Sequence, residues 1–136
     1  MQQVVVLGAT GSIGTSTLDV IARHPGRYAV YALTASRSVE AMETLCRYHR
    51  PQFAIMADPD AAQTLSERLV DLRGTQVECG EAAMERVCSA PEVDTVMAAI
   101  VGFAGLKPAL AAAQTGKRLL LANKEALVSA GRVFMD

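Results

Sequence analysis

A glycine-rich segment near the N-terminus carries residue types that could bind phosphate. Gly8, Gly11 and Gly14 are spaced G-x-x-G-x-x-G directly after an apolar run at residues 4–7. A strand that turns through glycines into a helix presents free backbone N–H groups and the positive end of the helix dipole. In such a turn Gly8 would permit the bend, Gly11 the approach of a diphosphate, and Gly14 close packing of helix on strand. The alternative, a purely structural turn, is disfavoured by its position between the first strand and the first helix.

A second polar segment, Ser36, Arg37 and Ser38, follows the second apolar run. A cofactor with a free ribose 2′-hydroxyl usually meets Asp or Glu at this place, and the segment contains neither. Two hydroxyls and a guanidinium suit a 2′-phosphate instead, so the sequence favours NADP(H) over NAD(H). The alternative is a solvated arginine beside a serine helix cap.

A third segment, Asn123, Lys124 and Glu125, stands directly after the apolar residues 119–122. The lysine could attract a phosphate or polarise a substrate oxygen, and the glutamate could orient the lysine or bind the cofactor. A capping sequence that opens the next helix explains the same residues equally well. The sequence leaves both interpretations open.

Apolar runs and helical patterns alternate along the whole chain. Predicted strands cover residues 4–7, 28–33, 53–56, 76–78, 95–101 and 119–122. This alternation predicts an α/β fold, a doubly wound, mostly parallel, Rossmann-like sheet in a single domain. Ligands of such sheets bind beyond the carboxyl ends of the strands, so the loops at residues 8–14, 34–38, 100–105 and 122–125 should lie together.

Side-chain spacing adds local detail to two of the predicted helices. In the first, Ile13, Thr17, Val20 and Ile21 recur at helical spacing and are predicted to face the sheet. In the third, Asp58 is predicted to cap the helix and Pro59 to occupy its first position. A further helix is predicted from residue 126 onward.

Composition narrows the class of protein. The chain has 136 residues and a net charge of −1, which favours one domain and gives no reason to expect nucleic-acid or membrane binding. Cys46, Cys79 and Cys88 lack metal-like spacing and indicate reduced thiols in a cytosolic protein. Neither a Ser-His-Asp order nor a cluster of carboxylates points to covalent catalysis or to a metal site.

Three motifs in this order resemble the 1-deoxy-D-xylulose 5-phosphate reductoisomerase family. They are GATGSIGTSTLD at residues 8–19, VMAAIVG at 96–102 and LANKEALV at 121–128, and the resemblance covers essentially the whole chain. It implies that residues 1–136 form the NADPH-binding domain of a cytoplasmic bacterial enzyme, homodimeric at full length, in the non-mevalonate route to isoprenoids. That enzyme uses Mg²⁺ or Mn²⁺ to rearrange its sugar-phosphate substrate to an aldehyde, which NADPH reduces to 2-C-methyl-D-erythritol 4-phosphate.

The resemblance also implies roles for individual residues. Contacts to the cofactor would come from Thr10, Gly11, Ser12, Ile13, Ser36, Arg37, Ser38, Asn123 and Glu125. Lys124 would reach the substrate. Many members of the family have Gly-Lys-Asn at the 2′-phosphate segment, where this chain has Ser-Arg-Ser and so keeps the positive charge.

The family's metal-binding carboxylates and substrate-phosphate residues would lie beyond Asp136. We therefore expect this chain to contain no catalytic residue and no metal ligand, and to bind NADPH without turning over substrate.

Two other classes of protein share such a glycine turn. A nucleotide-sensing module without catalysis would give no reason for a lysine near the nicotinamide. Epimerases and short-chain reductases carry a Tyr-x-x-x-Lys pair, whereas the tyrosines of this chain are followed four residues later by Ala32, Ala35 and Gln52.

Overall fold

The computed structural model describes residues 1–99 and 106–121, and it shows a parallel sheet between two layers of helices. The strands are β1 (Gln2–Leu7), β2 (Tyr28–Ala35), β3 (Phe53–Met56), β4 (Gln76–Cys79), β5 (Thr95–Ala98) and β6 (Arg118–Leu121). The helices are α1 (Ser12–Ala22), α2 (Val39–His49), α3 (Pro59–Arg68), α4 (Glu81–Ser89) and α5 (Leu106–Gln114).

The strand order is β4-β3-β2-β1-β5-β6, and every pair is parallel. The chain builds outward from β1 to β4, then returns to the other side of β1 for β5 and β6. This reversal of direction beside β1 leaves a crevice at the carboxyl ends of β1 and β5, where ligands of open α/β sheets bind. The predicted α/β fold with a Rossmann-like parallel sheet is confirmed.

The continuous apolar run of β1 reflects a strand that is buried on both faces. Val4 and Val6 pack in the cluster that contains residues of α1, α2 and α3. Val5 and Leu7 point to the opposite face and pack with residues of α4 and α5. Because helices cover both faces of the sheet at β1, residues 4–7 do not alternate between apolar and polar side chains.

The cap predicted for α3 is present. Asp58 Oδ2 accepts a hydrogen bond of 2.9 Å from the backbone N–H of Ala61, and Pro59 is the first helical residue. The aspartate thereby satisfies one of the N–H groups that a helix start leaves without a partner.

The prediction for the buried face of α1 was confirmed in part, since Ile21 is buried and Ile13 and Thr17 are half-buried. Gly14, Leu18 and Ile21 are the buried residues of this helix, whereas Val20 is 51% exposed. The small Gly14 lets the helix lie against the glycine turn. Thr17, Val20 and Ile21 line a cavity together with Met97 and Leu120 of the sheet. None of the helices within the described ranges is long and apolar enough to span a membrane.

Candidate functional site

The glycine turn is fixed to the neighbouring strand by two hydrogen bonds to one residue. Gly8, which has a φ of +79°, donates its N–H to Thr34 Oγ1 at 3.0 Å. Ala9 donates its N–H to the Thr34 carbonyl oxygen at 2.8 Å. Thr34 is completely buried within β2, not in a loop as its polarity suggested. Its hydroxyl therefore sets the path of the turn at the carboxyl end of β1.

Replacing this hydroxyl should destabilise the protein. In Thr34→Val the Gly8 N–H loses its acceptor in a partly buried place, and we expect the free energy of unfolding to fall by about 1–3 kcal/mol. Urea denaturation followed by circular dichroism measures the change. Thr34→Ser retains the oxygen and serves as the matched control. Equal stability of the valine and serine variants would show that the hydroxyl does not hold the turn.

The other two glycines of the motif differ in what the fold requires of them. A methyl group on Gly14 would overlap the Gly8 carbonyl oxygen and come within 2.9 Å of Ala9 Cα. A methyl group on Gly11 would meet only the Gly8 carbonyl oxygen, at an ordinary 3.7 Å. Packing thus explains Gly14. It does not explain Gly11, whose bare backbone lies exposed beside the start of α1.

The N-terminus of α1 is open to an anion. Gly11 occupies the cap position without a side-chain hydrogen bond, and no acidic residue stands in the first turn. Among the described residues, no backbone acceptor from before the helix is found for the N–H groups of Ser12, Ile13 and Gly14. Unpaired N–H groups and a positive dipole end at one place are what a phosphate requires.

The second polar segment lies at the carboxyl end of β2. Ser36, Arg37 and Ser38 are all exposed, and Ser38 stands at the N-cap position of α2. The Ser38 side chain makes no capping hydrogen bond, so the structure does not support the alternative in which this serine serves as a helix cap. Within the described part of the chain, no carboxylate lies within 4.0 Å of the Arg37 guanidinium. The segment therefore presents an arginine and two hydroxyls to solvent.

A cleft of about 350 Å³ connects the turn with this segment. It is lined by Gly8, Thr10, Gly11, Thr34, Ala35, Ser36, Ala57, Glu81, Met84 and Ala99. The predicted residues Gly8, Thr10, Gly11 and Ser36 are thus brought together. Arg37 and Ser38 follow Ser36 in the sequence and are exposed, but they are not among the lining residues. The Ala99 N–H donates to the Leu7 carbonyl oxygen at 2.8 Å, which joins the ends of β1 and β5 at the crevice.

Other predicted site residues stand apart from this cleft or outside the described ranges. Ser12 and Ile13 line a separate shallow groove along α1, and Gly14 is buried beneath the turn. Asn123, Lys124 and Glu125, with the loop at residues 100–105, lie outside the described residues.

Of the lining residues, Thr34 and Ala35 belong to the loop predicted at residues 34–38, whereas Ala57, Glu81, Met84 and Ala99 were not predicted as site residues. Thr34 is the one residue of β2 with an aliphatic hydroxyl, and this sets it apart within the apolar run. Glu81, the first residue of α4, is exposed and lines the cleft.

The cysteines are free thiols, as expected. Burial raises the pKa of both Cys46 and Cys88 to about 12, so these two stay protonated, whereas Cys79 is exposed. In residues 1–99 and 106–121, no group of three or more His, Cys, Asp or Glu side chains could hold a metal ion.

Comparison with known proteins identifies relatives along the whole chain. The family model described as 1-deoxy-D-xylulose 5-phosphate reductoisomerase matches residues 4–131. Proteins of that name from Methylobacillus flagellatus and Nitrosomonas europaea are 59% and 58% identical over 136 residues. These alignments include 100% and 99% of this chain but only 34% and 33% of the relatives. The chain therefore spans about a third of the length of the curated relatives that it matches.

Solved structures agree with the sequence comparison. A crystal structure of DOX-P reductoisomerase in complex with NADPH, fosmidomycin and magnesium superposes with a TM-score of 0.85 at 44% identity, covering 99% of this chain and 33% of that one. The Zymomonas mobilis reductoisomerase in complex with NADPH gives a TM-score of 0.83 at 44% identity, covering 99% and 35%. On the family match and these identities, the chain belongs to the 1-deoxy-D-xylulose 5-phosphate reductoisomerase family.

Proposed function

We propose that this chain is the NADPH-binding part of a 1-deoxy-D-xylulose 5-phosphate reductoisomerase. The observation that carries the proposal is the exposed, sterically unneeded Gly11 at the uncapped start of α1. A glycine that the fold does not require, placed among unpaired N–H groups, is explained by a diphosphate that must approach the backbone. The relatives of known structure that bind NADPH share this fold.

Different groups of described residues would bind different parts of the cofactor. The N–H groups of Ser12 and Ile13, with the Thr10 and Gly11 backbone, would hold the diphosphate at the N-terminus of α1. Ser36, Arg37 and Ser38 would hold the 2′-phosphate at the end of β2, because an arginine and two hydroxyls replace the acid that NAD-binding proteins use there. NADPH, when bound, supplies a hydride.

The proposal extends to the whole reaction of the family. We infer that the protein isomerises and reduces 1-deoxy-D-xylulose 5-phosphate to 2-C-methyl-D-erythritol 4-phosphate, since the relatives carry the name of that reaction. The part of the chain that the structure describes does not fit a metal, so no metal-dependent step is derived from it. Roles for Asn123 and Glu125 toward NADPH and for Lys124 toward the substrate stay predictions, as do a homodimer and a cytoplasmic location.

Calorimetric titration of the chain with NADPH tests the cofactor assignment. We expect saturable binding at one site, and at least tenfold weaker binding by Gly11→Ala, because its methyl group occupies the space that the diphosphate needs. The melting temperature should change little, since that methyl group meets only one backbone atom at 3.7 Å. Unchanged NADPH affinity in Gly11→Ala would contradict the placement of the diphosphate.

A further inference from the structure

The cleft extends from the glycine turn to residues that follow three other strands and to the first turn of α4. Its lining residues come from the carboxyl ends of β1, β2, β3 and β5 and from the first turn of α4, which follows β4. Four of these residues are apolar: Ala35, Ala57, Met84 and Ala99. Three alanine side chains and the buried thioether of Met84 form an apolar surface. A flat heteroaromatic ring suits such a surface.

One charged side chain interrupts this apolar lining. Glu81 is the single ionisable residue among the described residues that line the cleft. Its side chain is 48% exposed, and Oε1 lies 3.5 Å from Lys107 Nζ on α5. A carboxylate in a cleft for a ligand with several phosphates is unfavourable unless it accepts a hydrogen bond from that ligand. Lys107 offsets part of this repulsion and still leaves the second carboxylate oxygen available.

We propose that Glu81 reads the purine base of the cofactor by accepting a hydrogen bond from the exocyclic amino group of adenine. This assignment rests on the proposed function. A carboxylate has acceptors only, so it matches an amino group and opposes the oxo group that hypoxanthine carries at the same position. Glu81 is thus a specificity-determining residue at the end of the cofactor far from the nicotinamide.

The test compares NADPH with its deaminated form, in which hypoxanthine replaces adenine, by calorimetric titration of the 136-residue chain. We expect the unmodified chain to prefer NADPH at least tenfold. In Glu81→Gln the amide can donate to the hypoxanthine oxygen or accept from adenine, so the preference should fall to within about threefold. Glu81→Ala should lose both the preference and part of the NADPH affinity.

Glu85→Gln is the matched control, because it removes the same charge one helical turn later on α4, outside the cleft lining. It should retain the full preference, and circular dichroism checks the fold of each variant. Equal binding of the two dinucleotides by the unmodified chain, or an undiminished preference in Glu81→Gln, would overturn the assignment of Glu81 alone. Failure of the unmodified chain to bind NADPH would overturn the proposed function and this assignment with it.

Discussion

Gly14→Ala should lower the free energy of unfolding by about 3 kcal/mol, at the upper end of the cost of overpacking a protein interior. The added methyl group would overlap the Gly8 carbonyl oxygen and lie 2.9 and 3.0 Å from Ala9 Cα and carbonyl carbon. All three atoms belong to the backbone, so no side chain can rotate to relieve the contact. Moving α1 outward would instead disturb the turn that Thr34 holds. Urea denaturation measures the loss.

A second glycine provides the comparison for this substitution. Gly26 lies exposed in the turn after α1, and a methyl group there meets nothing within 4 Å. Gly26→Ala should therefore change the free energy of unfolding by no more than about 0.5 kcal/mol. If Gly14→Ala unfolded at the same urea concentration as Gly26→Ala, the result would contradict the claim that α1 packs too closely on the turn for a methyl group at residue 14.

Arg37→Ala should reduce NADPH affinity by about 10- to 150-fold and leave NADH affinity unchanged. Hydrogen bonds to a charged group contribute about 1.5–3 kcal/mol, which corresponds to this range. NADH lacks the 2′-phosphate, so it has nothing to lose when the guanidinium is removed. The ratio of the two dissociation constants, measured by titration at one fixed salt concentration, reports the effect. Arg37→Lys should retain part of the preference, because lysine keeps the charge but not the paired donors.

The control for charge is an arginine at the other end of the same strand. Arg27 is exposed just before β2, at the amino end of the sheet. Arg27→Ala changes the net charge equally and should leave the ratio of NADPH to NADH affinity as it is. A similar loss of preference in both variants would mean that overall charge, and not the position of Arg37, favours the phosphorylated cofactor.

Local sequence signals predicted most of the fold. The apolar run of β1, the Asp58-Pro59 start of α3 and the glycine turn each depend on residues that are neighbours in sequence. Such features form because of backbone conformation and short-range hydrogen bonds, so their pattern is visible without the rest of the chain. β2 was predicted two residues too short, because the polar Thr34 was assigned to the following loop although a glycine N–H satisfies its hydroxyl.

Features that depend on distant residues could not be predicted. The burial of Leu18 and the exposure of Val20 depend on how α1 packs against the rest of the fold, which periodicity alone does not encode. Glu81 reaches the cleft because α4 starts at the sheet edge and runs back beneath the strands toward β5. Its partner Lys107 lies 26 positions later in the chain, and no spacing rule connects the two residues.

The attachment of the glycine turn to Thr34 has a consequence for how a dinucleotide would bind. Thr34 anchors the segment proposed to hold the diphosphate and stands two residues before Ser36, where the segment proposed for the third phosphate begins. The spacing between the two proposed anion sites would thereby be set by β2 before any ligand arrives. Such preorganisation reduces the conformational entropy lost on association. A dinucleotide whose phosphates are spaced differently could not be accommodated by adjusting one site alone.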